Sequence, residues 1–367
     1  MGRADLPVPP GPERGAHDTR RHAEPRRGRQ QQAGPGHQQR PVRRRVGVLT
    51  VKRQNGVALI TAILVVALAT VAATAIITAA NIAVHRSANL QDSERAWWYA
   101  DGIEAWLLTI LERDSNDNQY DGLGDIWAKP VDYLPIDEGG ARGQVSDLQG
   151  RFNLNNLALP AGQAYDRQLE VFLRLLQGIE GIESFQATAI ASAIRDWVDA
   201  DSEPTGFEGG EDSEYLGFNP PYRVPNRPME SVTELLAVKG VTREIYAKLR
   251  PYVTALPQIG TAINVNTAPD AVLFALAKQP GPAQARFLES RLKKPAENKS
   301  DLTSGADAVF GAGDAHPDMY DIKSSFFMLR AEIFVGSGRL ALYSFYYRPP
   351  GQGGSAPYVY GRSIDSE

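Results

Sequence analysis

Between Asp196 and Tyr215 the chain crowds its carboxylates. Asp196, Asp199, Asp201 and Glu203 lie in the run DWVDADSEP, and Glu208, Glu211 and Asp212 follow within EGGED. Carboxylates packed this densely repel one another unless a cation lies among them. Hard oxygen donors without His or Cys favour calcium over zinc or copper. A solvated acidic loop fits the same residues, because carboxylate spacing is permissive, so both readings stand at this point. A second stretch, DSNDNQYDG at residues 114–122, alternates oxygen-bearing side chains as a calcium loop does. An EF-hand loop needs Gly at its sixth position, where this chain has Gln119, so a solvated turn is expected there.

Other chemistries find less support. Lys239-Gly240-Val241 is a tight glycine turn between two helical runs, the form that helix-hairpin-helix modules use to hold DNA phosphates on backbone amides. A membrane-anchored DNA receptor is therefore the alternative function. Charge argues against it, since the first 54 residues carry 13 Lys and Arg against 4 Asp and Glu, while the remainder carries 26 against 39. The acidic remainder disfavours a nucleic-acid partner. No enzyme constellation is visible: His85 and His316 stand alone and there is no cysteine. The missing cysteines also exclude disulfides, leaving packing or metal to staple the fold.

The elements that position the acidic loop are helical. Phe152-Asn153-Leu154-Asn155-Asn156 is echoed by Ile263-Asn264-Val265-Asn266-Thr267, each leading into an apolar helix that its last polar residue could cap. Two units with a helix, glycine turn, helix pattern lie between them: LEVFLRLLQGIEGI with AIASAIRDWV, and SVTELLAVKGV with REIYAKLRPYV. After residue 264 the pattern gives one helix over residues 268–278 and then a polar connection. The C-terminal part alternates. Phe327, Leu329, Ala331, Ile333 and Val335 interleave with Arg330 and Glu332, Gly336-Ser337-Gly338 turns the chain, and strands are expected over 340–347 and 358–364. A first strand is expected at 143–148, with residues 127–140 as loop.

Upstream, residues 57–84 hold no charge over 28 positions, enough for a helix to span a bilayer. Ala96, Ala100, Ile103, Leu107 and Leu111 extend it as an amphipathic helix to about residue 113, with Trp97, Trp98, Tyr99 and Trp106 expected to pack against the head. Lys52 and Arg53 directly before the span should hold that end in the cytoplasm, placing the bulk of the chain across the membrane. Residues 1–51, rich in Arg, Pro, Gly and Gln, cannot bury a core and are expected to be disordered; the working start is expected close before Lys52.

The basic leader, Gly56 and the apolar helix behind it resemble the type IV prepilin signal. That resemblance implies cleavage by prepilin peptidase between Gly56 and Val57, with methylation of the new end. Pilins and most pseudopilins carry Glu at the fifth mature position; this chain has Thr61, a habit of the minor pseudopilin K of the type II secretion system. The DWxDxDxxP and GxED runs also look like the calcium-binding loop of that family, which implies Asp199, Asp201, Glu203, Glu211 and Asp212 as ligands of a structural calcium. Glu208 and backbone carbonyls are further candidates. The implied fold is α+β: a long N-terminal transmembrane helix and a pilin-like antiparallel sheet head, with an inserted all-α domain of two SAM-like or helix-hairpin-helix units. The implied boundaries are a leader at 1–56, the membrane helix at 57–84 and its continuation at 85–113. A connection and first strand follow at 114–155, the inserted domain at 156–256 and the rest of the head at 257–367. The implied role is non-enzymatic, at the tip of the pseudopilus in the bacterial inner membrane. The implied partners are the minor pseudopilins I, J and H, the assembly platform and secreted cargo, with no nucleic acid.

Overall fold

The computed structural model describes residues 57–305, 308–311, 313–351 and 355–365. The leader and Gly56 lie outside the described residues. The chain divides into two compact units, one ending at Ala69 and the other running from Thr70 onward. Helix α1, Val57–Asp117, begins in the first. It is long and apolar enough to cross a membrane, and every residue over 57–91 is exposed. Backbone polar groups along such a helix bond internally, so apolar surroundings impose no cost on them.

In the second unit, Ala96, Ala100, Leu107 and Leu111 of α1 are buried against a five-stranded sheet. Its strands are β1 (Val131–Ile136), β2 (Gly139–Asp147), β7 (Phe326–Val335), β8 (Gly338–Tyr347) and β9 (Tyr358–Ile364), antiparallel throughout and adjacent in that order. The alternation in β7 works as expected, with Phe327, Leu329, Ala331, Ile333 and Val335 all buried on the α1 side. The tryptophans behave otherwise: Trp98 is 78% exposed and Trp106 51%, while Trp127, from the loop after α1, fills the core edge-on to Phe327. Trp98 and Trp106 fall outside the face of α1 that Ala96, Ala100, Leu107 and Leu111 bury. Glu104 is also buried within this face, held by Ser344 and by Arg362 of β9. At the far end of the sheet the β7–β8 turn sits on α1, with the Ser337 amide donating to Asp92 Oδ2 at 2.9 Å. Gly336 has φ +53°, and a Cβ there would stand 2.4 Å from Asp92, so the turn needs glycine.

One expectation fails at β1, a strand inside the loop expected over 127–140. Pro135 is tolerated because β1 is an edge strand and pairs on one side only.

Among the described residues, every helix other than α1 lies between β2 and β7. The elements are β3 (Phe152–Asn153), α2 (Gln163–Gln177), α3 (Ser184–Val198), α4 (Asp212–Tyr215), α5 (Arg243–Leu249), β4 (Val253–Thr254), β5 (Ile263–Asn264), α6 (Asp270–Leu276), α7 (Pro282–Ser290) and β6 (Tyr320–Asp321). One continuous core runs from Phe152 to Ile322. The inserted region therefore extends well beyond the expected 156–256, and residues assigned to the rest of the head form a further helical unit. The asparagine repeat explains why. Asn155 clasps the Met229 backbone, donating to its carbonyl at 2.9 Å and accepting from its amide at 2.7 Å. Asn266 clasps Ala296 in the same way at 3.0 and 2.9 Å. Short parallel pairs close both units, β3 with β4 and β5 with β6. Each asparagine motif thus opens its own unit rather than bracketing two. Neither Asn156 nor Thr267 caps a helix: Asn156 reaches Gln168 and the Thr261 carbonyl, and Thr267 donates to Asp147. In the expected second unit, the stretch before Gly240 is a 3-10 turn, Val232–Ala237, with only α5 fully helical.

Asp147, the last residue of β2, ties the insertion to the sheet. Its Oδ2 accepts from Ser324 Oγ (2.6 Å), Thr267 Oγ1 (2.6 Å) and Asn264 Nδ2 (2.9 Å), and its Oδ1 from the Gln149 amide (2.8 Å). Burial pushes its carboxyl up to about 6 despite these donors. Asp147→Asn turns one acceptor into a donor facing donors. It is expected to lower the unfolding free energy by about 2–3 kcal/mol, measured by denaturant titration in detergent; a loss below about 0.5 kcal/mol would refute the role given to this residue.

Candidate metal centre

The acidic loop leaves the C-terminus of α3 and returns to α4. Asp196, fully buried in the last turn of α3, anchors both sides of it: Oδ1 accepts from the Thr205 amide at 2.9 Å and Oδ2 from the Gly210 amide at 2.7 Å. A Cβ on Gly209 would come within 2.3 Å of that carboxylate, which is why the run EGGED needs its glycine there. Asn226, at φ +46°, donates to the Asp201 carbonyl at 2.6 Å and holds the loop from outside. Lys239 Nζ reaches the Gly209 carbonyl at 3.3 Å and pairs with Glu214, and its amide donates to the Tyr215 hydroxyl at 3.0 Å.

Within this frame one carboxylate oxygen each from Asp199, Asp201 and Glu211 converge to within 4.8 Å of one another. Glu211 is 5% exposed and neither of its carboxylate oxygens has a hydrogen-bond partner; Asp199 Oδ1 is also buried and unpartnered. Arg195 pairs with the other Asp199 oxygen at 3.1 Å. Burial, then the neighbouring carboxylates, pushes Glu211 up to about 7; burial and Asp201 push Asp199 to about 6. Orphaned oxygens in a negative pocket fit a hard divalent cation. Calcium takes six to eight oxygens at about 2.3–2.6 Å, so three carboxylates leave positions for carbonyls and water.

Three of the five expected ligands are therefore together and two are not. Asp212 turns away to Arg223 Nη1 (2.9 Å) and the Val224 amide (3.1 Å). Glu203 is exposed and contributes only its amide, to Asp201 Oδ1 at 2.9 Å. Glu208 also lies outside the converging group. Sequence reasoning missed Asp196 as the anchor and Asn226 as the outer clamp. The first has a signal in its helical spacing on the buried α3 face, and the second in asparagine's tolerance of positive φ.

The stretch expected to be a solvated turn is not one. Asp114, Asp121 and Asp125 bring carboxylate oxygens within 4.8 Å of one another, with Asp121 fully buried. Burial, then Asp121, pushes Asp114 up to about 7.

An apolar N-terminal helix, an antiparallel sheet packed on its continuation and a helical insertion between neighbouring strands define a pilin-like subunit with an enlarged head. Residues 150–258 match the family model described as type II secretion system (T2SS), protein K. The chain is 35% identical over 311 residues to type II secretion system protein K of Aeromonas hydrophila, covering 81% of this chain and 94% of that protein. It is 34% identical over 299 residues to the protein of the same description from Pseudomonas aeruginosa, covering 79% and 88%. A chain in the crystal structure of the GspK-GspI-GspJ complex from the enterotoxigenic Escherichia coli type 2 secretion system superposes with a TM-score of 0.66 at 25% identity, over 77% of this chain and all of that one. The chain belongs to the type II secretion system protein K family, whose members are minor pseudopilins.

The raised carboxyls set a pH signature. A carboxyl whose folded value lies above its unfolded one stabilises below the unfolded value and loses that contribution as pH rises through the folded value. For Asp199 and Glu211 the window runs from about 4 to about 7. In chelator the melting temperature is expected to fall between pH 5 and 7.5. In calcium, which binds the ionised forms, the gap over chelator should widen across the same range. A gap independent of pH would remove the cation from this pocket.

Proposed function

We propose that this protein is the minor pseudopilin at the tip of a type II secretion pseudopilus. It is anchored by the apolar part of α1 in the inner membrane, with its N-terminus cytoplasmic and its head periplasmic. Prepilin peptidase cleaves between Gly56 and Val57, after which the subunit joins the I-, J- and H-type minor pseudopilins, nucleates the fibre at the assembly platform and supports export of folded cargo. The single observation that carries this reading is the helical insertion between β2 and β7, a second core grafted onto a pilin-like sheet. A subunit with that added bulk resists stacking beneath a successor but fits the end of a fibre. The related complex of GspK with GspI and GspJ supports the choice of partners.

The role is structural, with no catalytic step. In the metal centre Asp199, Asp201 and Glu211 would hold calcium, whose chemistry there is to neutralise the three carboxylates and fix the loop. Asp196 positions the loop backbone and Arg195 orients Asp199. The DNA-receptor alternative finds less support, because at the glycine turn the Lys239 amide donates to the Tyr215 hydroxyl and the Lys239 side chain is turned to Gly209 and Glu214.

Co-expression of the full chain with the I- and J-type pseudopilins of the same bacterium is expected to yield a ternary complex that survives size exclusion in calcium and weakens in chelator. Recovery of this chain alone in both conditions would overturn the reading.

A further inference from the structure

We infer that the C-terminal end of α1 carries a second divalent-cation site, built from Asp114, Asp121 and Asp125 and suited by its donors to calcium. It shares no residue with the loop at Asp199.

The residues arrive from a helix end and the turn after it. Asp114 belongs to the last turns of α1, which hold no basic residue in the final turn. Carboxylates at the negative end of a helix are unfavourable without a cation. Asp121 and Asp125 follow in the loop, and one carboxylate oxygen from each of the three lies within 4.8 Å of the other two. That spread matches oxygens placed around one ion at about 2.3–2.6 Å. His and Cys are absent from the group.

The partners present do not use up its oxygens. Asp121 is fully buried; its Oδ2 accepts from the Ser324 amide at 2.6 Å and from Arg348, but its Oδ1 has no hydrogen-bond partner. An unsatisfied oxygen on a fully buried carboxylate is strongly unfavourable, so something must meet it. Arg348 also bonds Asp114 Oδ2 at 3.0 Å, and its side chain is only 3% exposed, so one guanidinium serves two of the three carboxylates. Asp125 Oδ2 accepts from the Gly122 amide at 2.7 Å, and the Trp127 indole lies beside the same carboxylate. The other nearby cation, Lys323, is spent on the carbonyls of Ser115 (3.3 Å) and Asn118 (2.9 Å). In the same turn Asn118 Oδ1 is a further buried oxygen without a donor. Tyr120 senses the negative field: burial, then Asp125, Glu297 and Asp114, raise its hydroxyl above the ordinary range.

A shared proton between Asp114 and Asp121 is the competing occupant, and the test separates the two. The probe is terbium, a calcium mimic excited through a nearby tryptophan; the indole of Trp127 lies beside Asp125 and that of Trp197 precedes Asp199 by two residues. The full chain in detergent is compared with Glu211→Gln, with Asp125→Asn and with the double variant, each titrated with terbium and analysed for bound ion by mass spectrometry. Asp125→Asn keeps the acceptor for Gly122 and leaves Arg348 its two partners. It is expected to bind about one ion per chain fewer than the parent. Glu211→Gln should retain emission that Trp127→Phe dims without lowering the bound-ion count. An unchanged count in Asp125→Asn, or loss of all binding in Glu211→Gln, would overturn the proposal and assign the pocket to a proton. Trp127→Phe keeps the test valid if Asp125→Asn fails to fold, because it reads the same pocket without altering a ligand.

Discussion

The fold hangs on one buried carboxylate at the place where the chain leaves the sheet. Asp147 faces Phe327 in the β2–β7 register, and the Leu148 amide still donates to the Phe326 carbonyl at 3.0 Å, so the insertion starts and ends side by side. Closing a long segment between adjacent strand ends costs little more than closing a short loop, because the entropy grows only with the logarithm of length. The difficulty is directional, since two cores must be held at one angle by a narrow neck. Four donors from both sides of that neck converge on Asp147, and a carboxylate is the side chain with enough acceptor positions to take them. Gln149 adds bonds to the Ala262 carbonyl and the Ser325 amide, so the neck is braced twice.

With no cysteine available, the helical region replaces disulfides by side chains that bond backbone. Asn155 and Asn266 each hold both polar groups of one distant residue, which is what a strand partner would do. Arg195 and Arg291 repeat the device at helix ends, the first donating to the Leu157 and Leu159 carbonyls and the second to those of Val265 and Ala268. Arg195 then turns its Nε to Asp199. The acidic loop is thereby connected through one guanidinium to the start of its own unit, and a cation at Asp199 would tighten the same path. Loops of this kind bury too little apolar surface to order themselves, so the ordering free energy must come from polar or ionic contacts.

Legibility in the sequence followed the strength of periodicity. The uncharged run at 57–84, the period-2 alternation of β7 and the helical face at Ala96, Ala100, Leu107 and Leu111 carry repeating patterns, and each element lies where those patterns place it. The second helical unit shows one such element, α6, inside the helix expected over 268–278, while β5 and β6 have two residues each, too short for a pattern to show. Its signal was the asparagine repeat, visible as residues but not as clasps, because an asparagine does not announce which backbone it will hold. The acidic loop was legible as a cluster and illegible as a partition. Nothing local separates Glu211, whose oxygens are orphaned, from Asp212, whose oxygens meet Arg223 and Val224; the difference lies in a turn of backbone that the N-terminus of α4 imposes. Glu104 was hidden for a related reason. A glutamate on a helix reads as exposed, and the Ser344 hydroxyl and Arg362 guanidinium from distant strands make its burial tolerable.

Position 61 shows how local bonding bears on assembly. In hydrocarbon a carboxylate needs a partner from outside its own helix, whereas a hydroxyl can find one within it. Thr61 does so, its Oγ1 donating to the carbonyls of Val57 and Ala58 at 3.0 Å. The residue is therefore satisfied whether or not another subunit lies beyond it. A glutamate there would make membrane burial conditional on a neighbour's amine. At the proposed tip no such neighbour exists, so self-satisfaction is the property that the position requires.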